Sequence, residues 1–122
     1  LNLESLAYPS ADKQFLQSII DSIEQHFEEP KFDLEQLAAE KRMSKSTLYR
    51  KIKSMTGMTP LDFIRNIKMK RACMMLLSGS YNISEVAYAV GFSTPKYFSR
   101  CFKDEFGITP SEYLQKHGGD GR

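Results

Sequence analysis

Gly57-Met58-Thr59-Pro60 and Gly107-Ile108-Thr109-Pro110 stand 50 residues apart, and the way they are read decides the fold. Each tetrapeptide is a stop followed by a start. Glycine closes a helix because it enters left-handed dihedrals without steric cost, threonine caps the next helix, and proline suits its first turn. The residues around the two tetrapeptides match as well. At an offset of 50, Leu48 aligns with Phe98, Arg50 with Arg100, Ile52 with Phe102, Lys53 with Lys103 and Phe63 with Tyr113. One helix earlier the offset is 49, pairing Asp33 with Asn82, Leu34 with Ile83, Leu37 with Val86 and Ala38 with Ala87. The second copy has therefore gained one residue in the turn between Ala87 and Phe98.

Working outward, apolar spacing gives about seven helices and no alternating strand pattern, so the expected fold class is all-α. Asp12 is expected to cap a first helix bearing Phe15, Leu16, Ile19, Ile20, Ile23 and Phe27, ended by Pro30. Asp33 caps a short second helix with Leu34, Leu37 and Ala38. The third starts at Ser44, turns Leu48, Ile52 and Met55 inward and stops at Gly57. Thr59, Pro60 and Asp62 open a long fourth helix running to Gly79, with Asp62 placed to reach back to the cap. Asn82 and Glu85 open the fifth, closed by Gly91. Ser93 or Thr94, then Pro95, opens the sixth, where Phe98, Phe102 and Phe106 read as a buried stripe. Thr109-Pro110-Ser111-Glu112 opens the seventh. The resulting boundaries are a linker over 1–11, a first subdomain over 12–58, a linker helix over 59–79, a second subdomain over 80–117 and a disordered tail over 118–122.

Each copy is a short helix with a small alanine at the crossing point, a tight turn, and a second helix whose back is apolar and whose front is polar. That is how a helix-turn-helix is built. In the first copy Lys45, Ser46, Tyr49, Arg50 and Lys53 point away from the apolar stripe. The linker helix of about 18 residues spans ~27 Å at ~1.5 Å per residue. Successive major-groove faces of duplex DNA lie ~34 Å apart, a comparable distance.

Net charge over the 122 residues is only +2, but its distribution is uneven. Residues 1–40 carry two lysines against nine acids, residues 41–71 carry ten bases against Asp62 alone, and the remainder balances at five against five. A middle third at +9 attracts a polyanion, while an N-terminal third at −7 does not. The hydrophobic fraction of 41% and charged fraction of 26% are those of a soluble globular protein, expected in the cytoplasm. No run approaches the ~18 apolar residues of a membrane helix, and Leu1-Asn2-Leu3-Glu4 has neither region of a signal peptide. The missing initiator Met reads as a piece cut from a longer protein. Cys73 and Cys101 form no CxxC pair, and His26 and His117 are far apart in sequence, so no metal or cofactor is expected and both cysteines read as reduced thiols.

The run Leu37-Ala38, Ser44, Leu48-Tyr49-Arg50-Lys51-Ile52-Lys53, Gly57-Met58-Thr59-Pro60, Arg71-Ala72, Leu76-Leu77, Ile83-Ser84-Glu85-Val86-Ala87, Val90-Gly91-Phe92, Tyr97-Phe98-Ser99-Arg100, Phe102-Lys103, Gly107-Ile108-Thr109-Pro110 and Tyr113 resembles the AraC/XylS family of transcription regulators over about residues 32–115. The acidic lead-in from Ser10-Ala11-Asp12 also resembles the segment before such a domain at the C-terminus of hybrid two-component regulators. The resemblance implies two tandem helix-turn-helix subdomains whose recognition helices enter adjacent major grooves of double-stranded DNA. It implies base contacts from Ser46, Tyr49 and Arg50 in the first copy and from Lys96, Ser99 and Arg100 in the second. Ser44, Lys45, Lys53, Ser93, Thr94, Pro95 and Lys103 are then expected at phosphates. Pro95 has no polar group for a base and shapes the helix start instead. RNA polymerase and other domains of the same regulator are implied partners. Dimerisation is expected only in the full-length protein, and this domain is expected to make no membrane contact. One departure stands out: Lys41-Arg42-Met43-Ser44 carries Arg42 where the family often has Gly, which implies strain or a different turn.

Two other readings compete. A helical protein-interaction module would keep the fold without DNA, but it gives no reason to place Arg50 and Arg100 at equivalent positions. An enzyme reading rests on Ser93-Thr94-Pro95-Lys96, an SxxK pattern without its companion motifs, and no catalytic residue is expected. Lys68 and Lys70 read as a solvated face of the linker helix, and Arg71 as a candidate partner for a carboxylate.

Overall fold

A computed structural model describes residues 10–118; the expected linker over 1–11, except Ser10 and Ala11, which belong to the first helix, and the expected tail over 118–122, except Gly118, lie outside the described residues. Those residues form seven α-helices and no strand: α1 (Ser10–Gln25), α2 (Leu34–Glu40), α3 (Lys45–Thr56), α4 (Pro60–Ser78), α5 (Ile83–Ala89), α6 (Pro95–Phe106) and α7 (Pro110–His117). They group into two compact units, one holding 10–26 and 31–67, the other 27–30 and 68–118. The division falls inside α4 rather than at its ends, so the linker helix supplies residues to both units.

In the first unit, α1 is already helical at Ser10. Asp12 therefore sits within its first turn instead of capping it, where a carboxylate still opposes the positive end of the helix dipole. Leu16, Ile19 and Ile23 are buried on one face of α1. The Lys51 ammonium lies 4.6 Å from the Phe15 ring centroid. At the other end of α1, His26 stacks on Phe32 with centroids 4.2 Å apart and places Nε2 2.5 Å from a Glu40 carboxylate oxygen. Asp33 caps α2, its carboxylate accepting the Gln36 N–H at 3.0 Å. Leu37 and Ala38 from α2 and Leu48 and Ile52 from α3 are buried, as the periodicity requires.

The second unit has a contiguous apolar core. Met69, Ala72 and Leu76 of α4 meet Val86 and Ala87 of α5 and Phe98, Cys101 and Phe102 of α6. Burying a phenylalanine of this kind stabilises by about 2–3 kcal/mol. Aromatic edges tie the layers together: Phe92 meets Phe98 at 5.3 Å, and Phe102 meets Tyr113 of α7 at 5.5 Å, both edge-on. Phe106 does not complete the stripe as expected and is 40% exposed. A spacing of four advances roughly 40° around a 3.6-residue helix at each step, so Phe106 has turned roughly 80° from Phe98. It packs instead over the rim formed by Phe102 and Tyr113.

Lys68 also departs from expectation. It is buried, its ammonium 5.8 Å from the Phe92 ring centroid. Its position four residues after Ile64 and four before Ala72 places its stem on the inward face, and the long side chain carries the charge along it. Lys70 is exposed, as expected. Arg71 lays its guanidinium over Phe27, 5.2 Å from the ring centroid. Cys73 and Cys101 are free thiols, and burial pushes the Cys73 thiol up, with a smaller opposing pull from a hydrogen bond with Tyr113.

Capping follows side-chain length. Asn82 with Glu85 and Thr109 with Glu112 form complete capping boxes, each glutamate accepting the cap residue's N–H at 2.9 and 2.8 Å. The Thr109 N–H, and next the Thr109 side chain, hold the Glu112 carboxyl below its ordinary range. At α4 only the first bond forms, Asp62 N–H to Thr59 Oγ1 at 3.2 Å. Aspartate is one methylene shorter and does not return the second.

Candidate nucleic-acid interface

The two turns before α3 and α6 share one hydrogen-bond skeleton. Arg42 N–H donates to Ala39 O at 3.1 Å and Met43 N–H to Ala38 O at 3.0 Å; forty-nine residues on, Gly91 N–H donates to Tyr88 O at 3.0 Å and Phe92 N–H to Ala87 O at 2.9 Å. The turn is thus the same in both copies, and Arg42 occupies the left-handed position at φ 55° that Gly91 occupies at φ 89°. Ser44 and Thr94 then cap equivalent helices, each hydroxyl accepting an N–H three residues on at 3.1 Å. The extra residue of the second copy is therefore Ser93, which lies between the turn and its cap. Both helices run twelve residues and end in a left-handed glycine, Gly57 at φ 75° and Gly107 at φ 81°.

These turns aim the outer face of each second helix at solvent. On α3, Lys45, Ser46, Tyr49, Arg50 and Lys53 are all exposed, with Ser44 exposed at the cap. On α6, Lys96, Arg100 and Lys103 are exposed, Ser99 and Pro95 are half-buried, and Ser93 and Thr94 are exposed just before the helix. Every residue expected at a base or a phosphate therefore lies on the outer face of α3 or α6 or at its start. Tyr49 is 42% exposed and helps line an open groove of ≈ 530 Å³ with Leu34, Ser44, Lys45 and Ser46.

The sequence reading did not pick out what holds the two arginines. The Ser44 hydroxyl donates to Thr47 Oγ1 at 2.8 Å, and Arg50 Nη2 reaches the same oxygen at 3.4 Å, a long and weak bond. Arg100 instead lies over the Tyr97 ring, 5.3 Å from its centroid, and Tyr97 packs against Phe92 at 5.6 Å. Thr47 and Tyr97 are equivalent in the repeat, and each stands three residues before its arginine. That i, i+3 spacing was the available signal. Arg100 leans on a ring that is itself packed on Phe92, so it is the more firmly oriented of the two.

Among the described residues no three His, Cys, Asp or Glu side chains gather to hold a metal ion, and no helix is long and apolar enough to cross a membrane. Residues 37–116 match the helix-turn-helix domain family. The chain belongs to it, as a domain of the AraC type. The family is one of DNA-binding transcription regulators and not of enzymes. Among its relatives, this AraC-type domain is 40% identical over 108 residues to histidine kinase P4 of Formosa agariphila, covering 88% of the chain and 8% of that protein. It spans 33% of the length of two other curated relatives, both HTH-type transcriptional regulators. Among solved structures it is similar to the C-terminal domain of AraT, a response regulator from Geobacillus stearothermophilus, at TM-score 0.79 and 30% identity over 86% of this chain and 87% of that one. It is also similar to the DNA-binding domain of the global transcriptional factor AdpA in complex with a target DNA, at TM-score 0.75 and 30% identity over 84% and 91% of the two chains.

Proposed function

We propose that this AraC-type domain binds double-stranded DNA selectively as the output end of a transcription regulator, with α3 and α6 as its two reading helices. The observation that carries the reading is the equivalence of Arg50 and Arg100. Both are exposed, both stand at the same step of a capped helix, and each meets the residue three back, Arg100 over the Tyr97 ring and Arg50 through a weak bond to Thr47. A guanidinium so placed is able to bond O6 and N7 of a guanine together. Ser46, Tyr49, Lys96 and Ser99 share those faces and complete the base-contact set, while Ser44, Lys45, Lys53, Ser93, Thr94, Pro95 and Lys103 flank them toward the phosphates. The two helices are assigned to adjacent major grooves. The likeness to AdpA's DNA-binding domain supports duplex DNA over a protein-interaction role.

We further assign this domain to a longer regulator, a reading that the relatives' lengths support. A domain spanning so small a share of a histidine kinase fits the end of a hybrid two-component regulator in the cytoplasm, with sensor and receiver parts elsewhere in the chain. Those parts are assigned the dimerisation, and RNA polymerase is the further partner of a regulator of this kind.

Selection of bound sequences from a random duplex library, repeated at two salt concentrations, tests the reading. Two short blocks of fixed sequence about one helical turn apart are expected. Binding without sequence preference at either salt defeats it. Within such a site Arg100→Ala is expected to relax preference at one base pair and cost about 1–3 kcal/mol there, read by competition with single-base variants of the site. A uniform loss on every variant makes Arg100 a phosphate contact. Lys53→Ala is expected to weaken all sequences alike and to lower the slope of log K against log salt by about one. A changed base preference removes Lys53 from the phosphate set.

A further inference from the structure

Arg42 stands where a glycine belongs. Its φ of 55° places an arginine in the left-handed region, the one non-glycine with positive φ among the described residues. The equivalent turn of the second copy closes with the same hydrogen bonds around Gly91, so the backbone geometry does not require an arginine. A side chain here costs stability that glycine would not. The side chain contributes nothing visible to the fold in return. Arg42 is exposed, and its guanidinium makes no ion pair among the described residues. Strain kept at an exposed position with no packing reward points to a use outside the fold.

The surroundings identify that use. Arg42 lies two residues before the Ser44 cap and three before the start of α3, between Lys41 and Lys45, at the end of α3 from which Ser46, Tyr49 and Arg50 project. On the DNA-binding reading a turn residue outside the reading helix is assigned to the sugar-phosphate strand bordering the groove and not to a base edge. A guanidinium is the group that bonds phosphate oxygens in pairs. We propose that Arg42 is a DNA-backbone clamp belonging to the first reading unit alone, retained against its own conformational cost. This rests on the DNA-binding reading above and adds a contact the second unit lacks, since Gly91 has no side chain.

The test uses the 122-residue chain, a labelled duplex bearing its selected site, and three variants, each followed by thermal melting and by binding at several salt concentrations. Arg42→Gly is expected to melt higher, on the order of 4 °C, yet to bind about three- to tenfold more weakly, with the salt slope reduced by about one. Arg42→Asn tolerates the left-handed region without a charge and is expected to lose binding in the same way. Arg42→Lys keeps the charge but not the paired bonds, and is expected to keep the full slope while recovering only part of the affinity lost in the glycine variant. A glycine variant that binds as tightly as the parent, or binds weakly with an unchanged slope, overturns the clamp. A glycine variant that melts no higher overturns the conformational cost. A parent chain that binds no duplex overturns the DNA-binding reading itself, and the clamp with it, and so is distinguishable from failure at Arg42 alone.

Discussion

Gly91→Ala is expected to destabilise the domain by at least about 3 kcal/mol and lower its melting temperature by roughly 10 °C or more. Two penalties combine. At φ 89° an alanine meets the left-handed cost of about 1–2 kcal/mol. Its Cβ also falls 2.0 Å from the Phe27 carbonyl oxygen and 3.1 Å from the Lys68 ammonium. The lysine is able to move, but the carbonyl is backbone and has to shift with its segment. Gly57→Ala and Gly107→Ala are the controls. Each has a similar φ but nothing within 4 Å of the added carbon, so each is expected to lose only about 1–2 kcal/mol. Equal melting temperatures for Gly91→Ala and Gly107→Ala rule out the close approach of Phe27.

Phe102→Ala is expected to cost about 3–5 kcal/mol, read from the midpoint of a urea titration at unchanged slope. The ring is fully buried and touches three others, with centroids 5.7 Å from Phe98, 4.6 Å from Phe106 and 5.5 Å from Tyr113. Truncation removes the transfer energy and leaves a void that α6 and α7 cannot both close. Phe106→Ala removes a ring that is 40% exposed, and about 1 kcal/mol is expected. If both variants lose the same stability, the two phenylalanines share one environment, contrary to their burial.

These contrasts show what the sequence disclosed and what it withheld. The repeat disclosed the number of helices and the class of fold, because glycine, threonine and proline at a boundary each do a local job that needs no knowledge of the rest of the chain. The outer faces of α3 and α6 were legible for the same reason: a strong apolar stripe defines its opposite side. The long helix α4 was harder. It is shared by two units and buried on more than one side, so it has no single polar face and Lys68 read as solvated. Phe106 was misplaced because a count of four approximates the helical period only over one step. Arg42 was flagged by the glycine that often stands there, but whether strain or a different turn resulted was not legible; the local bonds of the Arg42 and Met43 N–H groups keep the turn and leave Arg42 left-handed. Only its alignment with Gly91 revealed that one backbone shape serves two different residues.

The short segment Phe27–Pro30 groups with the second unit although it lies in sequence between two stretches of the first. Its Phe27 carbonyl faces Gly91, and its Phe27 ring lies under Arg71. The two readers are therefore not cassettes that a single cut separates. A fragment beginning at Lys68 leaves behind part of its own packing, and a chimera that exchanges the second reader has to import residues 27–30 with it. Recombination between relatives is expected to feel the same constraint: a crossover that keeps this short piece with its own second half preserves its packing, and an exchange at the middle of α4 alone mismatches it.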